Sequence, residues 1–254
     1  MIDLSAFSLA GKTVMVTGAN TGIGQGIAVS IARAGGRVIG VGRSGMDETA
    51  ALLAKAGGEF VAVRADLSST SAAQAMFDAA WDQHGPIDGL VNNAGIIKRV
   101  DAVDFTEDDW DQVMDINLKT MFFLCQSLGK RALSQGRQGK IVNISSMLSF
   151  QGGIRVASYT ASKSGVLGIT RLLANEWAAK GINVNSIAPG YIETNNTEAL
   201  RADPDRSASI LGRIPAARWG VPSDIGDAAV FLLSQASNYM HGAVIPVDGG
   251  WLAR

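Results

Sequence analysis

The chain has 254 residues, of which 47% are hydrophobic, so it can bury a large core, and its length suits one large α/β domain as well as two small ones. Its 22 basic and 23 acidic residues nearly balance at a formal charge of −1, which argues against a protein that binds nucleic acid or a membrane surface. Cys125 is the single cysteine, which excludes an intrachain disulfide and a multi-cysteine zinc site.

Short runs rich in β-branched residues alternate along the chain with longer runs of helical periodicity. Most of the short runs are apolar throughout, which is typical of parallel strands buried on both faces. The alternation predicts right-handed βαβ units and one doubly wound, seven-stranded parallel sheet with helices on both faces, a single domain over residues 1–254. The predicted strands are 12–17, 37–41, 60–63, 87–91, 140–144, 183–187 and 243–247, and the predicted helices are 25–33, 48–55, 71–83, 107–133, 159–179 and 223–233.

Two features of the sequence lie outside this alternation. Residues 193–213 are polar and irregular and are too long for a tight connection, so they predict a loop that binds or covers a substrate. The start of the chain lacks the basic and apolar regions of a signal peptide, and no later apolar run reaches the length that spans a bilayer. The sequence therefore predicts a soluble, cytoplasmic protein.

The first predicted strand leads into a glycine-rich turn, Thr17-Gly18-Ala19-Asn20-Thr21-Gly22-Ile23-Gly24, and then into a helix. Glycines let the backbone turn sharply and approach a pyrophosphate, whose charge is met by the N–H groups at the helix start. The common G-x-G-x-x-G pattern is not met, because Ile27 stands where the third glycine belongs. The turn nevertheless indicates a dinucleotide-binding protein.

A tyrosine and a lysine, Tyr159 and Lys163, stand four positions apart at the start of a predicted helix. Residues at this spacing share one face of a helix. A phenol has a pKa near ~10, so a tyrosine that acts as a base at neutral pH needs a neighbouring positive charge, which Lys163 can supply. Alone, such a pair is typical of an ordinary exposed helix start, so its interpretation depends on the other motifs.

Those motifs are Asp66-Leu67, Asn92-Asn93-Ala94-Gly95, Asn117, Ser146 and the segment from Pro189-Gly190 to Thr194. With the glycine turn and the Tyr159–Lys163 pair, they resemble the classical short-chain dehydrogenases/reductases over essentially the whole chain. The resemblance implies a Rossmann-like fold and hydride transfer between a substrate carbon and a nicotinamide cofactor.

The same resemblance implies a role for each of four catalytic residues. Tyr159 would move a proton to or from the substrate oxygen, and Lys163 would lower its pKa and hold the cofactor ribose. Ser146 would hydrogen-bond the reacting oxygen, and Asn117 would hold a water for proton relay. Ser145 is a rival for Ser146, but the spacing to Tyr159 favours Ser146.

The resemblance also implies where the cofactor binds but leaves NAD or NADP open. Asp66 would accept a hydrogen bond from the adenine amine. The second strand ends in Gly42 and Arg43, where an acidic residue would bind the ribose hydroxyls of NAD and an arginine can accommodate the phosphate of NADP. Arg43 could instead stack on adenine. The implied cofactor contacts are Gly18, Asn20, Thr21, Gly22, Ile23, Gly24, Gly42, Arg43, Asp66, Leu67, Asn93, Ala94, Gly95, Tyr159, Lys163, Pro189, Gly190, Ile192 and Thr194.

Within the family, residues 146–156, 189–197 and 248–254 resemble enzymes of short sugar acids, which implies a small substrate that carries a carboxylate. A guanidinium suits a carboxylate, and Arg155 is the first candidate anchor. An acyl-carrier thioester is an alternative substrate, and a non-catalytic dinucleotide sensor is the alternative to an enzyme. The implied substrate contacts are Ser146, Gln151, Arg155 and Tyr159, with Arg99, Arg213, Arg218 and Trp219 as further candidates.

The remaining expectations concern assembly and metals. The predicted helices 107–133 and 159–179 have more apolar positions than one sheet-facing stripe requires, which fits packing between subunits of a homotetramer, the usual family assembly. No metal site is expected. His84 and His241 are predicted to be solvated, and Cys125 to be buried.

Overall fold

The computed structural model describes residues 3–254, in which one parallel sheet lies between two layers of helices. The sheet order is β3-β2-β1-β4-β5-β6-β7, so the chain reverses direction across the sheet between β1 and β4. The strands are β1 (Thr13–Thr17), β2 (Arg37–Gly42), β3 (Phe60–Arg64), β4 (Gly89–Asn92), β5 (Gly139–Ile144), β6 (Ile182–Pro189) and β7 (Val244–Val247). The helices are α1 (Gly22–Arg33), α2 (Asp47–Lys55), α3 (Thr70–His84), α4 (Glu107–Met114), α5 (Met121–Ser134), α6 (Ala157–Trp177), α7 (Glu198–Ala202), α8 (Pro204–Leu211) and α9 (Pro222–Leu233).

Each face of the sheet has its own hydrophobic core. Successive side chains of a strand point to opposite faces, and in β1 Met15 joins one core while Val14 and Val16 join the other. Helices α3, α5 and α6 cover the first core, and α1, α2 and α9 cover the second. The apolar strands are therefore buried on both faces, and the predicted doubly wound α/β fold is confirmed.

The predicted helix over 107–133 is wrong in one respect. The structure interrupts it with a π-helical turn at Asp115–Thr120, so that α4 and α5 are separate helices. One extra residue in a turn preserves the apolar periodicity on either side, so the pattern does not reveal it. The other predicted helices and strands differ from the observed ones by a few residues at their ends.

The irregular segment 193–213 contains a short 3₁₀ turn at Asn195–Thr197 and the two short helices α7 and α8. Across residues 3–254, none of the helices has both the length and the hydropathy needed to cross a membrane.

Candidate active site

The sheet order reverses between β1 and β4, and in doubly wound folds a ligand binds in a crevice at the carboxyl ends of the strands at such a point. The Thr17 hydroxyl accepts hydrogen bonds from the backbone N–H groups of Asn93 and Ala94, both at 3.0 Å. The Asn93 amide donates to the Thr17 carbonyl at 2.9 Å. These bonds join the two strand ends, so the predicted motif residues Asn93, Ala94 and Gly95 lie beside the glycine turn.

The glycine turn after β1 packs closely enough that larger residues would collide. A Cβ atom added at Gly24 would lie 2.1 Å from the Gly18 carbonyl oxygen, and Gly18 itself has a φ of 69°. Thr21, which precedes α1, makes no side-chain cap to the first helical N–H groups. Those donors remain available to an anion such as a pyrophosphate.

The Ser146 side chain lies near enough to the Tyr159 phenol to affect its pKa. Burial raises the pKa of Tyr159, and the Ser146 side chain and the charge of Arg99 act in the opposite direction. Ser145 is engaged elsewhere: its hydroxyl donates to the Ile187 carbonyl at 2.9 Å and lies 2.8 Å from the Ser186 hydroxyl. The geometry thus places Ser146, and not its rival, beside the phenol.

Lys163 lies one helical turn beyond Tyr159, as their spacing predicts, and is only 4% exposed. Its ammonium donates to the Ile144 carbonyl at 2.6 Å and lies 5.7 Å from the centre of the Tyr159 ring. Burial lowers the pKa of Lys163 to about 8. Burying the charged form of Lys163 therefore reduces the free energy of unfolding, because a buried ammonium has lost most of its hydration.

The π-helical turn carries Asn117, which is 2% exposed. Its side-chain oxygen accepts from the Ile96 N–H at 2.9 Å, and its amide donates to the Ile96 carbonyl at 2.9 Å and to the Ser162 hydroxyl at 3.3 Å. Asn117 thereby connects the segment after β4 to α6, one residue before Lys163. Asn117, Ser146, Tyr159 and Lys163 are brought together from three separate parts of the chain: the π-helical turn, the end of β5 and helix α6.

The ends of β2 and β3 lie on the other side of β1 from β4. Gly42 stands opposite Arg64 in the strand register, and the Arg64 Nε donates to the Arg43 carbonyl at 3.0 Å. The Asn20 amide of the glycine turn donates to the Ser44 hydroxyl at 2.9 Å. Sequence reasoning did not single out Arg64 or Ser44, although the predicted neighbours β2 and β3 could have pointed to Arg64.

Asp66 and Leu67 follow β3 on the same side. The Asp66 carboxylate accepts from the Ser68 N–H at 3.0 Å. This hydrogen bonding, with a smaller contribution from the charge of Arg43, lowers the pKa of Asp66. The carboxylate is therefore an ionised acceptor at neutral pH.

The predicted cofactor residues after β6 border the glycine turn and the substrate loop. A Cβ at Gly22 would lie 3.2 Å from the Thr194 side chain, so Thr194 reaches the phosphate side of the crevice. Gly190 leaves no room for a side chain, because a Cβ there would lie 2.6 Å from the Asp248 backbone. Pro189 ends β6, and Ile192 is buried just beyond it.

An aromatic cluster, called the aromatic wall below, lies in the segments that follow β6 and β7. The Tyr191 ring packs edge-on against Trp219, at 5.5 Å between centroids, and against Trp251, at 4.9 Å. The Arg213 guanidinium lies 4.0 Å from the centre of the Trp251 ring, and its Nη2 is 3.5 Å from the Gln151 side-chain oxygen. The sequence prediction included Trp219, Gln151 and Arg213 but not the two other aromatic residues.

Two of the predicted carboxylate anchors already have carboxylate partners. The Arg155 Nε lies 3.0 Å from Asp101, and Arg155 has a φ of 63°. Arg218 binds both oxygens of Asp224, at 2.7 and 3.0 Å. These contacts reduce the positive charge that either arginine offers to a ligand.

Cys125 and the two histidines are not expected to take part in catalysis. Cys125 is fully buried, and burial raises its pKa to about 12. His84 ends α3, and the His241 Nε2 lies 3.2 Å from the Asn183 amide. The predicted absence of a metal site stays a prediction, although no cluster of metal-ligating side chains occurs within residues 3–254.

Comparisons with known proteins extend over the whole chain. A family model described as Enoyl-(Acyl carrier protein) reductase matches residues 18–252. The 2-dehydro-3-deoxy-D-gluconate 5-dehydrogenase of Escherichia coli (strain K12) is 57% identical over 99% of both chains, and that of Bacillus subtilis (strain 168) is 52% identical over 98% of both. A crystal structure of a proposed 2-deoxy-D-gluconate 3-dehydrogenase from Agrobacterium tumefaciens, with bound NADP, is 60% identical, has a TM-score of 0.94 and covers 98% of this chain and 99% of its own.

Proposed function

The chain belongs to the short-chain dehydrogenase/reductase family and is an NAD(P)-dependent oxidoreductase, and we propose that it interconverts 2-dehydro-3-deoxy-D-gluconate and its 2,5-diketo form. The observation that carries the reaction class is the grouping of the Tyr159 phenol with the Ser146 side chain and with the Lys163 ammonium, which lies 5.7 Å from the centre of the Tyr159 ring. The identity to named relatives supports the substrate. Breakdown of uronate polymers such as pectin or alginate is the setting proposed for this reaction.

The proposed mechanism assigns a role to each residue around the phenol. The cofactor, when bound, supplies or accepts the hydride at the substrate's C5. In the oxidative direction Tyr159 removes the proton of the C5 hydroxyl, while Ser146 hydrogen-bonds the same oxygen. Lys163 would favour the phenolate by its charge and would hold the ribose hydroxyls of the cofactor. Asn117 holds the segment after β4 and orders a water for the onward transfer of the proton.

We infer that NADP is the preferred cofactor. The residues around the end of β2 fit a phosphate on the ribose: there is no carboxylate at Gly42, and Arg43 lies beside Arg64, Ser44 and the Asn20 amide. A carboxylate at position 42 would repel such a phosphate, whereas guanidinium groups pair with it. The NADP bound to the relative from Agrobacterium tumefaciens supports the same preference.

Fluorescence titration with NADPH and NADH tests this preference. We expect Arg43→Ala to weaken NADPH binding by about 10- to 100-fold, because it removes a charge-assisted hydrogen bond to the phosphate, and to leave NADH binding nearly unchanged. Arg33→Ala, at the end of α1, is the control for a lost surface charge. Equal weakening of both cofactors would show that Arg43 stacks on adenine instead.

Three further proposals concern the whole protein. Residues 193–213 form a lid over the substrate. Faster proteolysis of this segment in the free protein than in the complex with cofactor and substrate would support this.

The protein forms a homotetramer, in which exposed apolar residues such as Trp110 and Leu172 are covered. Light scattering measures the mass of the protein in solution and so tests the assembly. It acts in the cytoplasm, which fractionation of the producing cell would test.

Matched initial-rate assays test the proposed reaction. Oxidation of 2-dehydro-3-deoxy-D-gluconate with NADP and with NAD is compared with oxidation of gluconate and of a 3-hydroxyacyl thioester. We expect the keto-deoxy acid to have the highest kcat/KM. Activity on gluconate alone would make the protein a gluconate 5-dehydrogenase, and activity on the thioester alone a 3-oxoacyl-carrier-protein reductase. Cofactor binding without turnover of any of the three would favour a dinucleotide sensor.

A further inference from the structure

We propose that Thr197 is a positioning residue for the nicotinamide end of the cofactor, an inference that rests on the proposed function. Its hydroxyl joins the backbones of Ile192 and Thr194, two of the implied cofactor contacts. The sequence motifs give Thr197 no role, and the structure supplies one through these two contacts.

The sheet order indicates which end of the cofactor meets Ile192 and Thr194. Gly42 and Arg43, the proposed contacts of the adenine half, lie at the end of β2, and the glycine turn follows β1. β6 lies on the other side of β1, beyond β4 and β5. A dinucleotide with its adenine half at β2 and its pyrophosphate at the start of α1 therefore brings its nicotinamide toward the end of β6. Ile192 and Thr194 follow that end.

The backbone of Ile192 leaves one donor free. The Glu193 N–H donates to the Gly220 carbonyl at 2.8 Å, and the Gly220 N–H donates to the Tyr191 carbonyl at 2.9 Å. In a bridge of this kind the N–H and C=O of the intervening residue point the other way. Ile192 is only 3% exposed, yet within residues 3–254 its N–H has no acceptor. Buried backbone donors are normally paired, so this N–H is suited to a ligand such as the carboxamide oxygen of nicotinamide.

The Thr197 hydroxyl holds the carbonyl of the same residue. Its Oγ1 lies 2.7 Å from the Ile192 carbonyl and 3.1 Å from the Thr194 carbonyl. A hydroxyl has one proton, and the shorter contact takes it, so Thr197 donates to Ile192. The Thr194 carbonyl has other donors, the Thr197 N–H at 3.1 Å and the Arg201 Nη2 at 3.2 Å.

The same hydroxyl sets the position of Thr194, whose N–H donates to it at 3.1 Å. A Cβ at Gly22 would lie 3.2 Å from the Thr194 side chain, so Thr194 packs against the first residue of α1. The N–H groups at this helix start have no side-chain cap from Thr21. Loss of the Thr197 hydroxyl would free the Thr194 peptide to rotate and carry its side chain away from the cofactor.

Capping of a short helical turn does not by itself require both contacts of Thr197. At the start of α4, the Thr106 hydroxyl accepts from the Asp109 N–H at 3.1 Å, and this single bond completes the cap. Thr197 accepts from the Thr194 N–H in a similar way but also donates to Ile192, which lies outside the turn. The additional bond connects the folded turn to the free donor of Ile192.

Calorimetry with two ligands tests the proposal. 2′-Phospho-ADP-ribose is NADPH without its nicotinamide, so the ratio of the two dissociation constants measures how much the nicotinamide end contributes to binding. We expect Thr197→Val, which keeps the shape of the side chain, to weaken NADPH binding by about tenfold and 2′-phospho-ADP-ribose binding by less than about twofold. Thr197→Ser should restore NADPH affinity to within about threefold of the wild type. Thr106→Val, which removes a capping hydroxyl elsewhere, should change neither affinity.

Turnover and stability give a second readout. A misplaced nicotinamide transfers hydride more slowly, so Thr197→Val should lower kcat by about tenfold, and Thr197→Ser should recover most of it. The free energy of unfolding in urea should stay nearly constant, because Thr197 belongs to a segment with few core contacts. NADH and ADP-ribose form an equivalent pair of ligands for the same comparison.

Three results would overturn the proposal: equal weakening of both ligands in Thr197→Val, an unchanged NADPH affinity, or no recovery in Thr197→Ser. If the wild type binds NADPH no more tightly than 2′-phospho-ADP-ribose, the nicotinamide contacts and the role of Thr197 fail, although the protein still binds cofactor. If the wild type binds cofactor but oxidises no sugar acid, the proposed substrate fails, and the binding comparison still decides the role of Thr197. If it binds neither NADPH nor NADH, both proposals fail.

Discussion

The proposed catalytic residues and the proposed lid are built in opposite ways. Asn117, Ser146 and Lys163 are at most 7% exposed, and their polar atoms bind backbone groups of the central strands or of the segments directly after them. Between residues 193 and 213, Ile210 alone is buried, and most side-chain hydrogen bonds close within the segment or to residues just before it. The reaction geometry therefore depends on the core, whereas substrate choice lies on a segment that can change at little cost to the fold.

Removing the phenol hydroxyl should give the largest effect. We expect Tyr159→Phe to lower kcat by about 10²- to 10⁴-fold, because the proton of the substrate oxygen then has no acceptor of suitable pKa. NADPH affinity, measured by fluorescence, should fall by less than about tenfold, because the substitution removes at most one hydrogen bond to the cofactor. Tyr239→Phe, at a fully exposed tyrosine, is the control. Retention of activity in Tyr159→Phe would remove the phenol from the mechanism.

The buried Lys163 should make the free energy of unfolding depend on pH. Burial lowers the pKa of Lys163 from 10.5 to about 8, so the folded protein binds fewer protons than the unfolded chain between these pH values. Stability from this group is complete above about pH 10.5 and is lost as the pH falls through 8. Between pH 7 and pH 9.5, the free energy of unfolding of the wild type should rise relative to that of Lys163→Met by about 2 kcal/mol.

Urea unfolding of both proteins at the two pH values measures this difference. Lys140→Met is a useful second variant, because burial also lowers the pKa of Lys140 to about 8 but the residue lies at the amino end of β5, whereas the proposed catalytic Ser146 follows its carboxyl end. It should retain activity, whereas Lys163→Met should lose most of its turnover. A difference between wild type and Lys163→Met that does not change with pH would mean that Lys163 stays charged in the folded protein.

The comparison between the two regions also explains what the sequence could predict. The fold follows from apolar strands that alternate with amphipathic helices, because both patterns are local. Tyr159 and Lys163 share a helix face, and Ser146 follows a strand, so their proximity could be inferred from short spacings and the parallel topology. The π-helical turn at Asn117 could not be inferred, because it leaves the apolar periodicity on either side intact.

Contacts between distant segments account for the remaining misses. Nothing near Arg155 in the sequence indicates that Asp101, 54 positions earlier, neutralises it. The aromatic wall joins Tyr191, Trp219 and Trp251 from three separate segments. Such pairings depend on how loops fold over the edge of the sheet, and loop conformation is determined by tertiary contacts rather than by residue spacing. The proposed substrate residues therefore stay predictions.

The smallest predicted effect concerns the lid itself. The Asp203 carboxylate caps α8 by accepting from the N–H groups of Asp205 and Arg206, both at 3.1 Å. Asp203→Ala should cost α8 about 1 kcal/mol, so amides of 205–211 should exchange with deuterium roughly fivefold faster. Because the lid contributes little to the core, the melting temperature should stay nearly constant. Asp205→Ala removes a charge from the same helical turn without removing the cap, so it should leave the exchange almost unchanged. A cooperative loss of stability in Asp203→Ala would show that the lid and the catalytic region unfold as one unit, which would contradict the contrast between them.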